Sequence, residues 1–299
     1  MHYASADALD FTLSDLEARP PETRVLMTTP DHFAIVYVIN AHMEGMEGSV
    51  DQANAREQWN QLKATYEHIG FPIDVIEGQP NLPDMVFCAN QTLPIVGPDG
   101  EPHVVMSQMG TKERAPEVAF YRDWFDANGY TSHALPPLET GFEGAGDALW
   151  HPDRRLLWGG WGFRTDAKAY DFLSELTGVR VCTLELRDPE FYHLDTCLSL
   201  LDESTALYVP SAFTTDGLAL LRAVIPNLIE ADEHEARTLF ACNAHCPDRR
   251  HVLIQAGCTL TNERLRDAGF EVIEVDTSEF VKAGGSVFCM KQMHGGPDA

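Results

Sequence analysis

Short apolar runs alternate with amphipathic helical stretches along all 299 residues of this chain, and that alternation is what most limits its fold. Residues 33–39, 85–88, 104–108, 156–158, 197–201, 206–209, 252–255, 271–275 and 286–290 read as strands, being rich in Val, Ile, Leu, Phe and Cys. Residues 51–69 carry Trp59, Leu62, Tyr66 and Ile69 at helical spacing, with Gly70 as a stop. Residues 116–128 form a second amphipathic segment closed by Gly129, and further helices fall near 167–177, 215–224, 232–240 and 261–268. Two strands often precede a helix, so an α/β chain with short connections is expected. A weak strand–helix–strand unit recurs, as in repeats whose sequences have drifted. The polar residues 1–24, with Pro20-Pro21, read as a short helical or loose lead-in, and 25–299 as one domain.

Composition narrows the partners. Lys and Arg number 21 against 46 Asp and Glu, a formal charge of −25. Such a surface repels phosphate backbones and anionic lipid, so nucleic acid and membrane are not expected as partners. It suits an enzyme that draws in a small cation, although solubility or a salty habitat would give the same balance. The seven cysteines are odd in number and unclustered, at 88, 182, 197, 242, 246, 258 and 289. The first residues lack a basic region followed by an apolar stretch, and no apolar run approaches the ~20 residues of a membrane span. Reduced thiols in a cytoplasmic setting are therefore expected. The oligomeric state is left open, a homo-oligomer included.

Three motifs carry reactive side chains. Cys289 follows Gly284-Gly285 on an apolar run, where glycines would let backbone and substrate approach; it reads either as a thiol nucleophile or as a buried structural cysteine. His193 and Asp195, two positions apart, would share one face of a strand, as acid/base and cation grip or as a satisfied core histidine beside an acid. Glu143 and Asp147 flank Gly144-Ala145-Gly146, a loop that holds two carboxylates together or is a plain turn. Pro136-Pro137 and the surrounding acids exclude a phosphate-binding loop there. Asp84 opens, and Asn90 ends, an apolar segment, and Arg164 stands on the loop Gly159-Gly160-Trp161-Gly162-Phe163, suited to a carboxylate or simply exposed. Cys242, His245 and Cys246 lack the second ligand pair of a structural zinc site, so no metal is expected, and no cofactor-binding pattern is present.

Together these stretches resemble the guanidino-group modifying enzymes, the superfamily of arginine deiminases, dimethylarginine dimethylaminohydrolases and amidinotransferases. The likeness runs from about residue 26 to 291. It rests on Tyr37-Val38-Ile39-Asn40, Phe142-Glu143-Gly144-Ala145-Gly146-Asp147, Gly162-Phe163-Arg164, Phe191-Tyr192-His193-Leu194-Asp195-Thr196 and Gly284-Gly285-x-x-x-Cys289. Within the superfamily the chain is most similar to the arginine dihydrolase domain of the cyanobacterial type. The resemblance implies a pentein fold, an α/β propeller of five ββαβ units around a central active site, making 25–299 a single catalytic domain. It implies Cys289 as nucleophile, His193 as general acid/base and Glu143 as the carboxylate that holds a guanidinium. Asp195 becomes a second guanidinium-binding acid, with Asn40, Asp84, Asn90 and Arg164 as further substrate-binding residues. The expected substrate is a small cationic guanidino compound: arginine, taken to citrulline and on to ornithine. Methylated arginine, amidino transfer to an amine, and a silent binding module are the alternatives.

Overall fold

The computed structural model of the chain describes residues 1–97 and 99–295. The chain begins with β1 (His2–Tyr3) and two short 3-10 turns, then enters β2 (Arg24–Thr28), α1 (Gln52–His68) and β3 (Ile73–Ile76). Strands β2 and β3 run parallel, with α1 crossing between them. The pattern then recurs with a leading antiparallel strand: β4 (Thr92–Val96), β5 (Pro102–Met106), α2 (Glu117–Ala127), β6 (Thr131–Ala134). After the one-turn α3 (Gly144–Asp147) come β7 (Ala148–Trp150), β8 (Leu156–Trp161), α4 (Ala169–Thr177) and β9 (Arg180–Glu185). The fourth unit is β10 (Leu198–Leu200), β11 (Thr205–Tyr208), α5 (Thr215–Val224) and β12 (Asn227–Glu230). The fifth follows α6 (Glu233–Leu239) and comprises β13 (His251–Gln255), α7 (Thr259–Asp267) and β14 (Glu271–Val275). Its leading strand is reduced to one antiparallel bridge, His245 to Leu253.

After α8 (Ser278–Val281), β15 (Gln292–His294) supplies the leading strand that the first unit lacks, pairing Met293 with Val25 and Gln292 with Leu26. The five small sheets are thus five ββαβ units, and the last strand clasps the first unit. Strand β1 adds to the free edge of the third sheet beside β9. Local chemistry fits the elements. Asp51 caps α1 by accepting from the amides of Ala53 and Asn54, and Thr214 caps α5 through Gly217. Gly178, at φ 68°, closes α4 in the left-handed conformation.

Three expected strands are not strands. Residues 33–39 form an irregular segment that buries Phe33 and Ile35 but exposes Val36 and Val38, so its side chains anchor a covering loop. Phe33 stacks on Phe280 at 4.8 Å. Residues 85–88 lie in and after a 3-10 turn, Pro83–Val86, and 286–290 form a buried turn. In both, apolar composition reflects burial rather than extended backbone; the true strands, β4 and β15, begin a few residues later. Strands β6 and β12, polar and partly exposed, carry little apolar signal. Because β15 closes the first sheet against β2 and buries Met293, a chain stopped after Lys291 should lose about 2 kcal/mol or more, since truncating one buried Met side chain costs about 2–5 kcal/mol. Urea unfolding would measure it, and a change below about 1 kcal/mol would show that the clasp is dispensable.

Candidate active site

In every unit the reactive residues stand on the segment leading into the first strand. Asp84 and Asn90 precede β4, Glu143 and Asp147 precede β7, and His193 and Asp195 precede β10. Asn243 precedes the His245 bridge, and Cys289 precedes β15. These five segments knit together. Ala89 N–H donates to the Cys289 carbonyl at 3.2 Å, Leu194 N–H to Asp147 Oδ1 at 2.9 Å, and Asn243 Nδ2 to the Asp195 carbonyl at 3.0 Å. Two glycines permit the close approach. A Cβ on Gly146 would fall 2.3 Å from Asn90 Nδ2, and Gly284, at φ 88°, leaves room for Asn40.

His193 is buried and its Nε2 lies 2.7 Å from Glu143 Oε2. Glu143 also accepts from Arg164 Nη1 at 3.2 Å on both oxygens and from the Gly110 amide at 2.9 Å. Burial alone would raise the Glu143 carboxyl, but Arg164 and His193 outweigh it and hold it down at about 2. Burial would lower His193, yet the Asp147 and Glu143 carboxyls reverse that and raise it. Asp147 is pushed up to about 6, chiefly by burial, while accepting from Thr165 and Leu194. Glu143 thus keeps its charge across the physiological range, orients the imidazole and favours its cationic form.

Cys289 is buried, and its thiol donates to Asp195 Oδ2 at 3.2 Å. Burial raises the thiol well above its ordinary range, and the Asp195 charge adds to this. Asp195 is itself raised by burial. Asn243 holds the turn: its Oδ1 accepts from the amides of Ser286, Phe288 and Cys289, while Nδ2 donates to the Cys289 sulfur at 3.2 Å. Asn243 sits inside the Cys242–Cys246 stretch that read only as a rejected metal motif, and nothing in its local sequence signals this part. Among the described residues no cluster of three His, Cys, Asp or Glu side chains suits a metal ion.

A small pocket lies against Cys289, lined by Asn40, Asp84, Asn90, Arg114, Arg164 and Tyr192 among others. Asp84 accepts from Tyr37 on Oδ2 at 2.8 Å, while its Oδ1, like that of Asp195, is buried without a hydrogen-bond partner. Burial raises the Asp84 carboxyl above the usual range. Asn40 caps a short turn through His42 and Met43 and donates to the Ala283 carbonyl. The eight residues given catalytic or substrate-binding roles by the resemblance therefore belong to one connected cluster: five line the pocket, and Glu143, His193 and Asp195 lie within hydrogen-bond reach of lining residues. Arg164 differs from the simple expectation of an open carboxylate binder, because its guanidinium spans Glu143 and the Ile39 carbonyl. Arg114, fully buried and unsignalled in the sequence, reaches the Asn90 amide.

Five ββαβ units whose entry turns unite a thiol, an imidazole and several buried carboxyls define a pentein of the guanidino-group modifying class. The chain belongs to the dimethylarginine dimethylaminohydrolase family, since the family described as N,N dimethylarginine dimethylhydrolase, eukaryotic, matches residues 29–294. It is 39% identical over 272 residues to the N(G),N(G)-dimethylarginine dimethylaminohydrolase of Mycobacterium tuberculosis, covering 91% of this chain and 86% of that protein. It is also 38% identical over 271 residues to the bifunctional arginine dihydrolase/ornithine cyclodeaminase ArgZ of Synechocystis, covering 90% of this chain and 37% of that one. The chain thus spans little over a third of the length of the bifunctional relatives. The solved N-terminal domain of ArgZ bound to product superposes with a TM-score of 0.84 at 37% identity, covering 91% of this chain and 97% of that domain.

Because Asp195 raises the thiol both by its charge and by accepting its proton, Asp195→Asn should lower the Cys289 pKa. Without substrate, iodoacetamide should then label Cys289 faster at pH 8 in the variant than in the parent, by about threefold or more. Mass spectrometry of the labelled peptide would report it, and unchanged or slower labelling would contradict the assigned contact.

Proposed function

We propose that this chain is a cysteine-dependent hydrolase of the guanidino group of arginine, releasing ammonia to give citrulline and then hydrolysing citrulline to ornithine, ammonia and carbon dioxide. The observation that carries this reading is the contact of Cys289 with Asp195 Oδ2 in a pocket shared with Asp84, where the Oδ1 of each acid is buried without a partner, beside the His193–Glu143 pair. A guanidinium is planar, cationic and rich in N–H donors, so it complements acceptor oxygens already shielded from water. Its charge would also favour loss of the Cys289 proton, offsetting the burial that holds the thiol neutral. With its thiol proton lost to solvent as the cation enters, Cys289 attacks the central carbon, and His193, its protonated form favoured by Glu143, donates to the nitrogen that departs as ammonia. Water, deprotonated by His193, then cleaves the thiouronium and returns the sulfur. The relatives named arginine dihydrolase support arginine as substrate. Asn90, an amide among acids, favours continuation beyond citrulline.

A second reading, hydrolysis of methylated arginine with release of methylamines, is favoured by the relative bearing that activity in its name. We place both reactions in one catalytic unit covering 25–299, needing no cofactor. The seven buried, unpaired thiols favour a reducing, cytoplasmic setting.

Incubation with arginine, asymmetric dimethylarginine, agmatine and citrulline, with products identified by mass spectrometry, tests the assignment. Ornithine and ammonia from arginine are expected; methylamine release from dimethylarginine with arginine untouched would favour the second reading. Cys289→Ala should abolish turnover while lowering Tm by no more than a few degrees, since about 1 kcal/mol shifts Tm by about 2–4 °C in a domain approaching this size. Retained turnover would refute the thiol mechanism.

A further inference from the structure

Arg114 lies in the segment before α2 and is almost wholly inaccessible. Its guanidinium donates to Glu117 through Nε at 3.1 Å and Nη2 at 3.0 Å. Nη2 also reaches the carbonyls of Asp84 and Phe87, and Nη1 donates to Asn90 Oδ1 at 2.8 Å. A guanidinium has donors only, so this last contact settles which end of the amide is which: oxygen toward Arg114, nitrogen away from it. The nitrogen lies 3.5 Å from His193 Nδ1. It also fills the space beside Gly146, where a Cβ would approach it to 2.3 Å. On the far side of the ring, Nε2 faces the ionised Glu143 carboxylate and therefore carries a proton.

We infer that Arg114 is a positioning and specificity-determining residue that, by gripping the Asn90 amide oxygen, turns an N–H donor toward the reacting centre and so selects a ureido oxygen for a second hydrolysis. The inference rests on the proposed arginine hydrolysis and goes one step further. A guanidinium offers donors, which the carboxyls of Glu143, Asp84 and Asp195 can accept but an amide N–H cannot. Once the first ammonia has left, the product carries a carbonyl oxygen, an acceptor, and the presented N–H becomes complementary to it. An Asp at position 90 would offer only acceptors when ionised, and without Arg114 the amide would be free to turn over. Glu117, accepting also from Gln91 Nε2 at 2.7 Å, holds the guanidinium in place.

The test is the ratio of ornithine to citrulline formed from arginine by the full chain. Removing the guanidinium would strand the buried Glu117 carboxyl, so Arg114→Met is made together with Glu117→Gln, and folding is checked by circular dichroism. The pair should shift the ratio toward citrulline about tenfold, the worth of one good hydrogen bond, while arginine consumption falls less. Arg114→Lys, which keeps a donor, should restore part of the ratio. In an Asn90→Ala background the same pair should move the ratio less than about twofold, because the residue through which Arg114 acts is gone. An unchanged ratio, or an equal shift in the Asn90→Ala background, would overturn the inference.

A second measurement leaves Arg114 untouched. The Cys289→Ala protein should bind citrulline about tenfold more tightly by calorimetry than Cys289→Ala with Asn90→Asp, and equal affinity would overturn the inference. Parent protein that consumes arginine but stops at citrulline would overturn it alone. Parent protein that leaves arginine untouched would overturn the proposed function with it.

Discussion

A surplus of buried acid over buried base governs this molecule. Asp84, Glu117, Glu143, Asp147 and Asp195 are all shut away from water in one neighbourhood, against Arg114, Arg164, His193 and Lys291. Burial raises Asp84, Asp147 and Asp195, and lifts Glu117 to about 7, so full ionisation of the group is opposed. Only Glu143, spanned by Arg164 and His193, is driven the other way. Such an arrangement costs stability, because each isolated charge taken from water is expensive and two of the acids leave an oxygen without a donor. A core built for stability alone would hold apolar side chains here, and the pattern supports the cationic substrate proposed above.

The fold makes that concentration of charge affordable through geometry. Each ββαβ unit buries its own helix and sheet, and the turn entering its first strand contributes few side chains. Five such turns meeting at one place deliver residues from positions as far apart as 84 and 289. Asn243 shows how the meeting is secured: one side chain fixes three amides of the Cys289 turn and also the carbonyl of Asp195. Cys289 is therefore held by the neighbouring unit, while β15, the strand that follows it, pairs with β2.

Helices were the most legible elements, because their apolar faces repeat over many residues. The segment 215–224 matches α5 residue for residue, and 51–69 differs from α1 by one residue at each end. Strands were legible where Val, Ile and Leu run unbroken, as in β13 and β14. The errors share a cause. At 85–88 and 286–290 an apolar run marks backbone buried near the site, and composition alone does not separate a buried turn from a buried strand. Cys289, His193 and Glu143 stood out in the sequence because reactive side chains beside glycines are conspicuous, and the fold brings them into one cluster. Asn243 and Arg114 were not, since an amide and a guanidinium that only hold other groups leave no local mark. Their roles exist only once units far apart in sequence have come together.

The charge surplus also couples occupancy of the site to protons. Asp84, Asp195 and the Cys289 thiol all have raised pKa values, so each favours its protonated form. A guanidinium placed among them would lower all three, and protons would leave as the cation enters. Binding should therefore strengthen as pH rises through those values, up to the point where the groups ionise unaided. Glu143 contributes nothing to this release, because it is already ionised. What it contributes is direction: its fixed charge raises the imidazole of His193 and favours the protonated form. The same buried field that suppresses the thiolate in the empty site is thus relieved when a cation binds beside it.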